Sequence, residues 1–154
     1  MSSTENVIIL DENKDLSLSD LVSMMLSADS RHMGGALVVY EGIVKGLVDG
    51  NRVDKLVYDI HEEYTKKKLE EVVSEVLQDK DIIDARIIHW KGVRKPGSPA
   101  VVITVLATGR KKAFETAYKL LEKVKFETGI WKKEYRDDGV YWVIGDGERI
   151  KSSG

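Results

Sequence analysis

The 154-residue chain contains no cysteine. That excludes disulfides, thiolate metal sites, iron–sulfur clusters and a cysteine nucleophile, so any sulfur it handles must be carried by another molecule. It has two prolines and two phenylalanines. No apolar run approaches the roughly 18 residues of a membrane helix, the longest being Ala100–Ala107. The chain does not open on a basic stretch followed by an apolar one, so no signal peptide is expected, and the cytoplasm is the default compartment. His32, His61 and His89 are scattered and lack the close spacing of helical zinc ligands, so no metal site is expected.

What is present describes an ordinary globule: 42% hydrophobic and 32% charged residues. The length suits one domain over residues 1–154, with 1–12 and 145–154 flexible or peripheral. A net charge of −2 argues against a general nucleic-acid binder, and nothing points to a membrane. The distribution is uneven: residues 1–30 carry a net −5 and residues 110–136 a net +5. The basic segment either meets an anionic partner or is a solvated helix face.

Ser17, with Asp20 three residues on, reads as a helix cap before the helically spaced Leu18, Leu21, Val22, Met25 and Leu26. Ala36–Lys45 predicts a strand, Gly46–Asn51 a loop with an Asp49-Gly50 turn, and Val53–Ile60 a second strand antiparallel to the first. Tyr64–Leu77 has the clearest helical stripe. Ile82–Trp90 predicts a strand, Gly92–Pro99 a loop, and Ala100–Ala107 a strand covered on both faces. A third helix is expected over 112–126, with Ala113, Phe114, Ala117, Leu120, Leu121 and Val124 facing inward and Thr128-Gly129 ending it. Ile130–Tyr135 and Val140–Ile144 form a hairpin closed by Asp138-Gly139, with Trp131 and Trp142 facing each other across it. The order α-β-β-α-β-β-α-β-β defines an α+β sandwich of helices on one mainly antiparallel sheet.

Lys125 ends the third helix and Lys132 follows the Gly129 break, so a chain reversal would bring their ammonium groups together. Arg110 stands where a buried strand hands over to the same helix. Three cations around one junction suit a phosphate, although a lysine at a helix C-terminus is also favoured by the helix dipole alone. Gly42, inside a strand, implies a bulge or a close backbone approach, and Lys45 beyond it is a ligand contact or a strand end.

Four segments carry a resemblance. ATGRKKAFETAYKLLEKVKFETGIWKKE (Ala107–Glu134) has an arginine at its start, an Ala-Phe helix, a lysine near the helix end and then Trp-Lys-Lys-Glu. It is joined by YEGIVKG (Tyr40–Gly46), by IIHWKGVRKPGSPAVVITVLATGR (Ile87–Arg110) and by Leu56–Val72. In this order they resemble the molybdopterin synthase large-subunit family, MoaE, over most of residues 35–143. The resemblance implies an α/β hammerhead fold with an added β-rich part. It also implies that cyclic pyranopterin monophosphate is the substrate, converted to molybdopterin by adding two sulfurs, with no tightly bound cofactor. The sulfur would come from the C-terminal Gly-Gly thiocarboxylate of a small ubiquitin-like, MoaD-like subunit, docked at each end of a central homodimer.

The same resemblance makes Lys125 and Lys132 catalytic. It assigns substrate contacts to Ile43, Val44, Lys45, Gly109, Arg110, Lys133 and Glu134. Gly109 replaces a family histidine and Lys45 a family arginine, which exchanges a forked donor for a point charge. A late family arginine, given by the other protomer, aligns with Asp146, with Arg149 nearby. The competing readings are a non-catalytic protein- or RNA-binding module, which exposed aromatics on a sheet would favour, and an inactive homologue.

Overall fold

The computed structural model describes residues 5–126, 128–145 and 147–152. Three helices, α1 (Leu18–Ala28), α2 (Glu62–Val76) and α3 (Arg110–Lys125), are set among ten strands. The strands before α2 are β1 (Val7–Leu10), β2 (Ala36–Ile43), β3 (Leu47–Val48) and β4 (Asn51–Ile60). Between α2 and α3 lie β5 (Ile82–Trp90), β6 (Gly92–Arg94) and β7 (Pro99–Ala107). After α3 come β8 (Ile130–Arg136), β9 (Gly139–Ile144) and β10 (Glu148–Lys151). All nine expected elements are present in order; the four additions are strands of two to four residues, too short for periodicity to reveal.

The strands form two sheets, not the one expected. The first has the order β1-β5-β7-β2, with β1 parallel to β5 and the other pairs antiparallel. The second has six strands, β10-β9-β8-β4-β3, with β6 also on β4. The expected pairing of β2 with β4 does not occur: β2 bonds β7, and β4 bonds β3, β6 and β8. Hairpin logic assigns neighbours in sequence to one another, but β3 occupies the place beside β4 through the Asp49-Gly50 turn, whose residues have φ of 53° and 78°.

The first sheet is covered on both faces, as the apolar β7 requires. Ser17 Oγ accepts the Asp20 N–H and starts α1, whose Leu21 and Met25 pack on Ile88, Trp90, Val102 and Leu106. On the opposite face, Leu69 and Val73 of α2 and Ala117 and Leu120 of α3 pack on Ile87 and Ile103. Adjacent residues of β5 and β7 thus serve different cores, the period-2 signature of a buried strand. Each fully buried aliphatic side chain contributes about 1.5–3 kcal/mol.

Phe114 departs from its expected inward position and is 65% exposed. The inner stripe of α3 is Ala113, Thr116, Ala117, Leu120 and Val124, and Phe114 lies beside it on the solvent side with Tyr118. The β8–β9 loop is Asp137-Asp138, and Gly139 opens β9 instead of closing the turn. Residues at both chain ends supply edge strands: β1 puts Val7 in the core, and β10 pairs with β9.

Candidate active site

The site grows from the connection between α3 and β8. The helix ends at Lys125, and Phe126 is already extended with φ −126° and ψ 135°, so Thr128-Gly129 lies beyond the helix end instead of forming it. The Thr128 hydroxyl donates to Val124 O at 2.8 Å, and the Thr65 hydroxyl of α2 donates to Thr128 O. Gly129 O accepts the His61 N–H at 3.3 Å. Gly129 has φ +75°, and a Cβ there would fall 2.8 Å from the Tyr64 ring and 3.0 Å from Thr65 Oγ1. Glycine is therefore required twice, for its φ and for the close approach. The connection is fastened to the start of α2, and Lys125 before it and Lys132 after it line the same cavity.

Strand alternation then sorts β8. Ile130, Lys132 and Glu134 face a cavity of about 330 Å³ between the two sheets. Trp131 and Lys133 point the other way; Lys133 Nζ lies 4.7 Å from the Trp142 ring centre, and the two tryptophans meet edge-to-face at 6.2 Å. Across the cavity, β2 bulges between Gly42 and Ile43. A Cβ on Gly42 would fall 2.8 Å from Val101 Cγ1, so both meanings of a strand glycine hold here. The bulge turns Ile43 and Lys45 toward the cavity.

Among the described residues, four cations, Lys45, Lys125, Lys132 and Arg149, line this space with one carboxylate, Glu134. That carboxylate is already engaged: Arg149 donates from Nε at 2.8 Å and Nη2 at 3.2 Å, and Arg136 Nη1 lies 3.7 Å away. Among the described lining residues the cations outnumber the carboxylate, an arrangement that suits an anion with several acceptor oxygens.

The cavity wall also contains His89 and Tyr58, whose rings meet edge-to-face at 4.9 Å. Lys132 Nζ lies 5.9 Å from the Tyr58 ring centre. Burial pulls His89 down to about 4 from an ordinary 6.5; its hydrogen bond to Trp90 O opposes the shift, and the Lys132 and Arg94 charges add to it. Burial pushes the Tyr58 hydroxyl up.

Of the residues singled out in the sequence, the structure brings together Ile43, Lys45, Lys125, Lys132 and Glu134. Val44 is buried beside them, bonded to Ser98 O and Gly97 N at 2.9 Å each. Lys133 is on the opposite sheet face. Gly109 and Arg110 begin α3 and Lys125 ends it, about 22 Å apart along the axis, so the three-cation junction does not form within one chain. A Cβ on Gly109 would meet nothing within 4 Å, so packing does not exclude a larger residue there. Asp146 lies outside the described residues, whereas Arg149 is in the cavity wall. Sequence reading missed Tyr58 and His89. The available signal was a polar residue within the buried run Ile87-Ile88-His89-Trp90. Among the described residues, no group of three or more His, Asp or Glu side chains is placed to hold a metal.

Fold and site together define an α+β protein with a cation-lined cleft between two sheets. The family model described as MoaE protein matches residues 12–127, and the chain belongs to the MoaE family. A molybdopterin synthase catalytic subunit from Pyrococcus abyssi is 29% identical over 140 residues, 91% of this chain and 92% of the relative. The crystal structure of molybdopterin synthase from Staphylococcus aureus superposes with a TM-score of 0.77 at 25% identity, covering 90% of this chain and 97% of that one. The complex of subunits 1 and 2 of molybdopterin-converting factor from Helicobacter pylori shares the fold, with a TM-score of 0.69 and 21% identity over 97% of this chain and 91% of that one.

Proposed function

We propose that the chain is the catalytic subunit of a molybdopterin synthase and transfers sulfur from a small partner protein to cyclic pyranopterin monophosphate. The observation that carries this reading is the cleft that Lys125 and Lys132 line together with Lys45, Arg149 and a carboxylate already paired with Arg149. Such a cleft accepts two anions at once: the phosphate of the substrate and the C-terminal thiocarboxylate of a Gly-Gly tail. The thiocarboxylate sulfur forms a bond to a substrate carbon as a carbon–oxygen bond at that carbon breaks, the oxygen staying with the opened phosphate or leaving as water. A further water then takes the acyl group, so the carbonyl–sulfur bond breaks and the partner leaves with an ordinary carboxylate. Two such rounds supply the dithiolene. Lys125 and Lys132 stabilise the charge that develops, the role in which one preorganised donor is worth roughly 10²–10³ in rate. No resident cofactor is needed for these steps.

The separation of Arg110 from Lys125 supports a homodimer in which a second copy brings Gly109 and Arg110 to this cleft. The outer face of the second sheet, with Trp131 62% exposed and Ile144 and Ile150 also exposed, supplies an apolar patch for that contact. The same aromatic face is the one observation that favours an RNA-binding module instead. One experiment separates the readings: the chain is mixed with thiocarboxylated small subunit and precursor, and dithiolene formation is followed. Product supports the synthase; binding without product marks an inactive homologue; neither, together with RNA binding, would leave the module.

A further inference from the structure

Among the described residues, the charged side chains of the cleft are donors, apart from the one carboxylate that Arg149 occupies. His89 differs. The residue is only 3% exposed, yet its ring lines the cavity. Its Nδ1 is 2.7 Å from Trp90 O. A carbonyl oxygen only accepts, so Nδ1 carries the hydrogen and Nε2 carries a lone pair. Nε2 makes no hydrogen bond to any described residue, and it is not one of the fully enclosed polar atoms, so its lone pair stays accessible from the cavity that the ring lines. Tyr58, edge-on at 4.9 Å, holds the ring plane. The neighbouring cations, Lys132 from β8 and Arg94 from β6, disfavour a second proton on the ring.

We propose that His89 Nε2 is the hydrogen-bond acceptor for an N–H donor of the cleft's occupant, so that the cleft selects ligands combining an anionic group with an N–H. The inference rests on the synthase reading, which offers two sources of that donor: a backbone amide of the Gly-Gly tail and a ring N–H of the pterin. Inorganic phosphate satisfies the cations but brings no N–H.

The test is calorimetry on the full chain at neutral pH with three probes: a short peptide ending in Gly-Gly, free pterin, and inorganic phosphate. His89→Phe keeps a ring and removes the acceptor; His89→Gln keeps an acceptor. We expect His89→Phe to weaken one of the two N–H probes about tenfold, His89→Gln to recover most of that loss, and phosphate affinity to stay unchanged. Whichever probe responds identifies the donor. Equal weakening of phosphate would show a packing role and overturn the proposal, as would unchanged affinity for both N–H probes. If His89→Phe does not fold, nitrogen NMR of the unmodified chain decides: the Nε2 resonance must move on adding an N–H probe and stay still with phosphate. Failure of the unmodified chain to bind any of the three probes would refute the synthase reading itself, and the proposal with it.

Discussion

Acid should destabilise this protein through one buried ring. His89 has an ordinary value of 6.5 and lies at about 4 in the fold, chiefly because burial penalises its charged form. Between those values the unfolded chain binds more protons than the folded one, so stability falls as pH drops through that window. From pH 8 to pH 5 the two values give a loss of about 2 kcal/mol from this group alone, and about 3 kcal/mol once pH passes below 4. Glutamine at this position does not titrate. His89→Gln will be less stable than the parent at pH 8, because the Trp90 bond and the packing change, but its pH slope should be flatter. Urea unfolding of both proteins at pH 8, 6.5 and 5 measures the difference directly. The parent should lose about 2 kcal/mol more than the variant over this range, since the carboxylates common to both cancel. Parallel losses would refute the reasoning and mean that His89 protonates in the folded protein without penalty.

Lys125→Ala should fold normally, losing at most the roughly 0.3–1 kcal/mol of a cation at a helix C-terminus, while single-turnover sulfur transfer drops by about 10²–10³. Lys132→Ala should fall less far, and the exposed Lys67→Ala should be silent in the same assay. Gly129→Ala combines a left-handed φ with a 2.8 Å contact to Tyr64 and should cost about 2–4 kcal/mol in thermal or urea unfolding; an unchanged midpoint would contradict the stapled connection. Trp131→Glu should leave the fold intact, because the ring is 62% exposed, and should convert the proposed dimer to a 17.3 kDa monomer in light scattering. An unchanged mass would remove this sheet face from the dimer contact.

Hydrophobic period and caps carried the local elements. The Ser17 cap, the helical stripe from Leu69 to Val76, the continuous apolar run of β7 and the Gly42 bulge all depend on neighbours within a few residues, so they were legible in one dimension. The likeness to the MoaE family was legible for the same reason, since its motifs are short strings in a fixed order. Phe114 shows the limit of a periodic reading: its spacing admits the inner stripe, but only the sheet beneath α3 decides which arc of the helix is covered.

By itself, then, the sequence determined the helices, the principal strands, the absence of any thiol chemistry of its own, and Lys125 and Lys132 as the cations to watch. Only the tertiary structure decided that the strands divide into two sheets and that the site is the gap between them. It also decided that Lys132 faces the cleft while Lys133 faces away, that Arg149 neutralises Glu134, and that Arg110 lies a helix length from Lys125. The reason is physical: period and capping act over one or two turns, whereas the cleft depends on strand partners far apart in sequence. A buried histidine's proton depends on the charges and the emptiness that those distant partners leave around it.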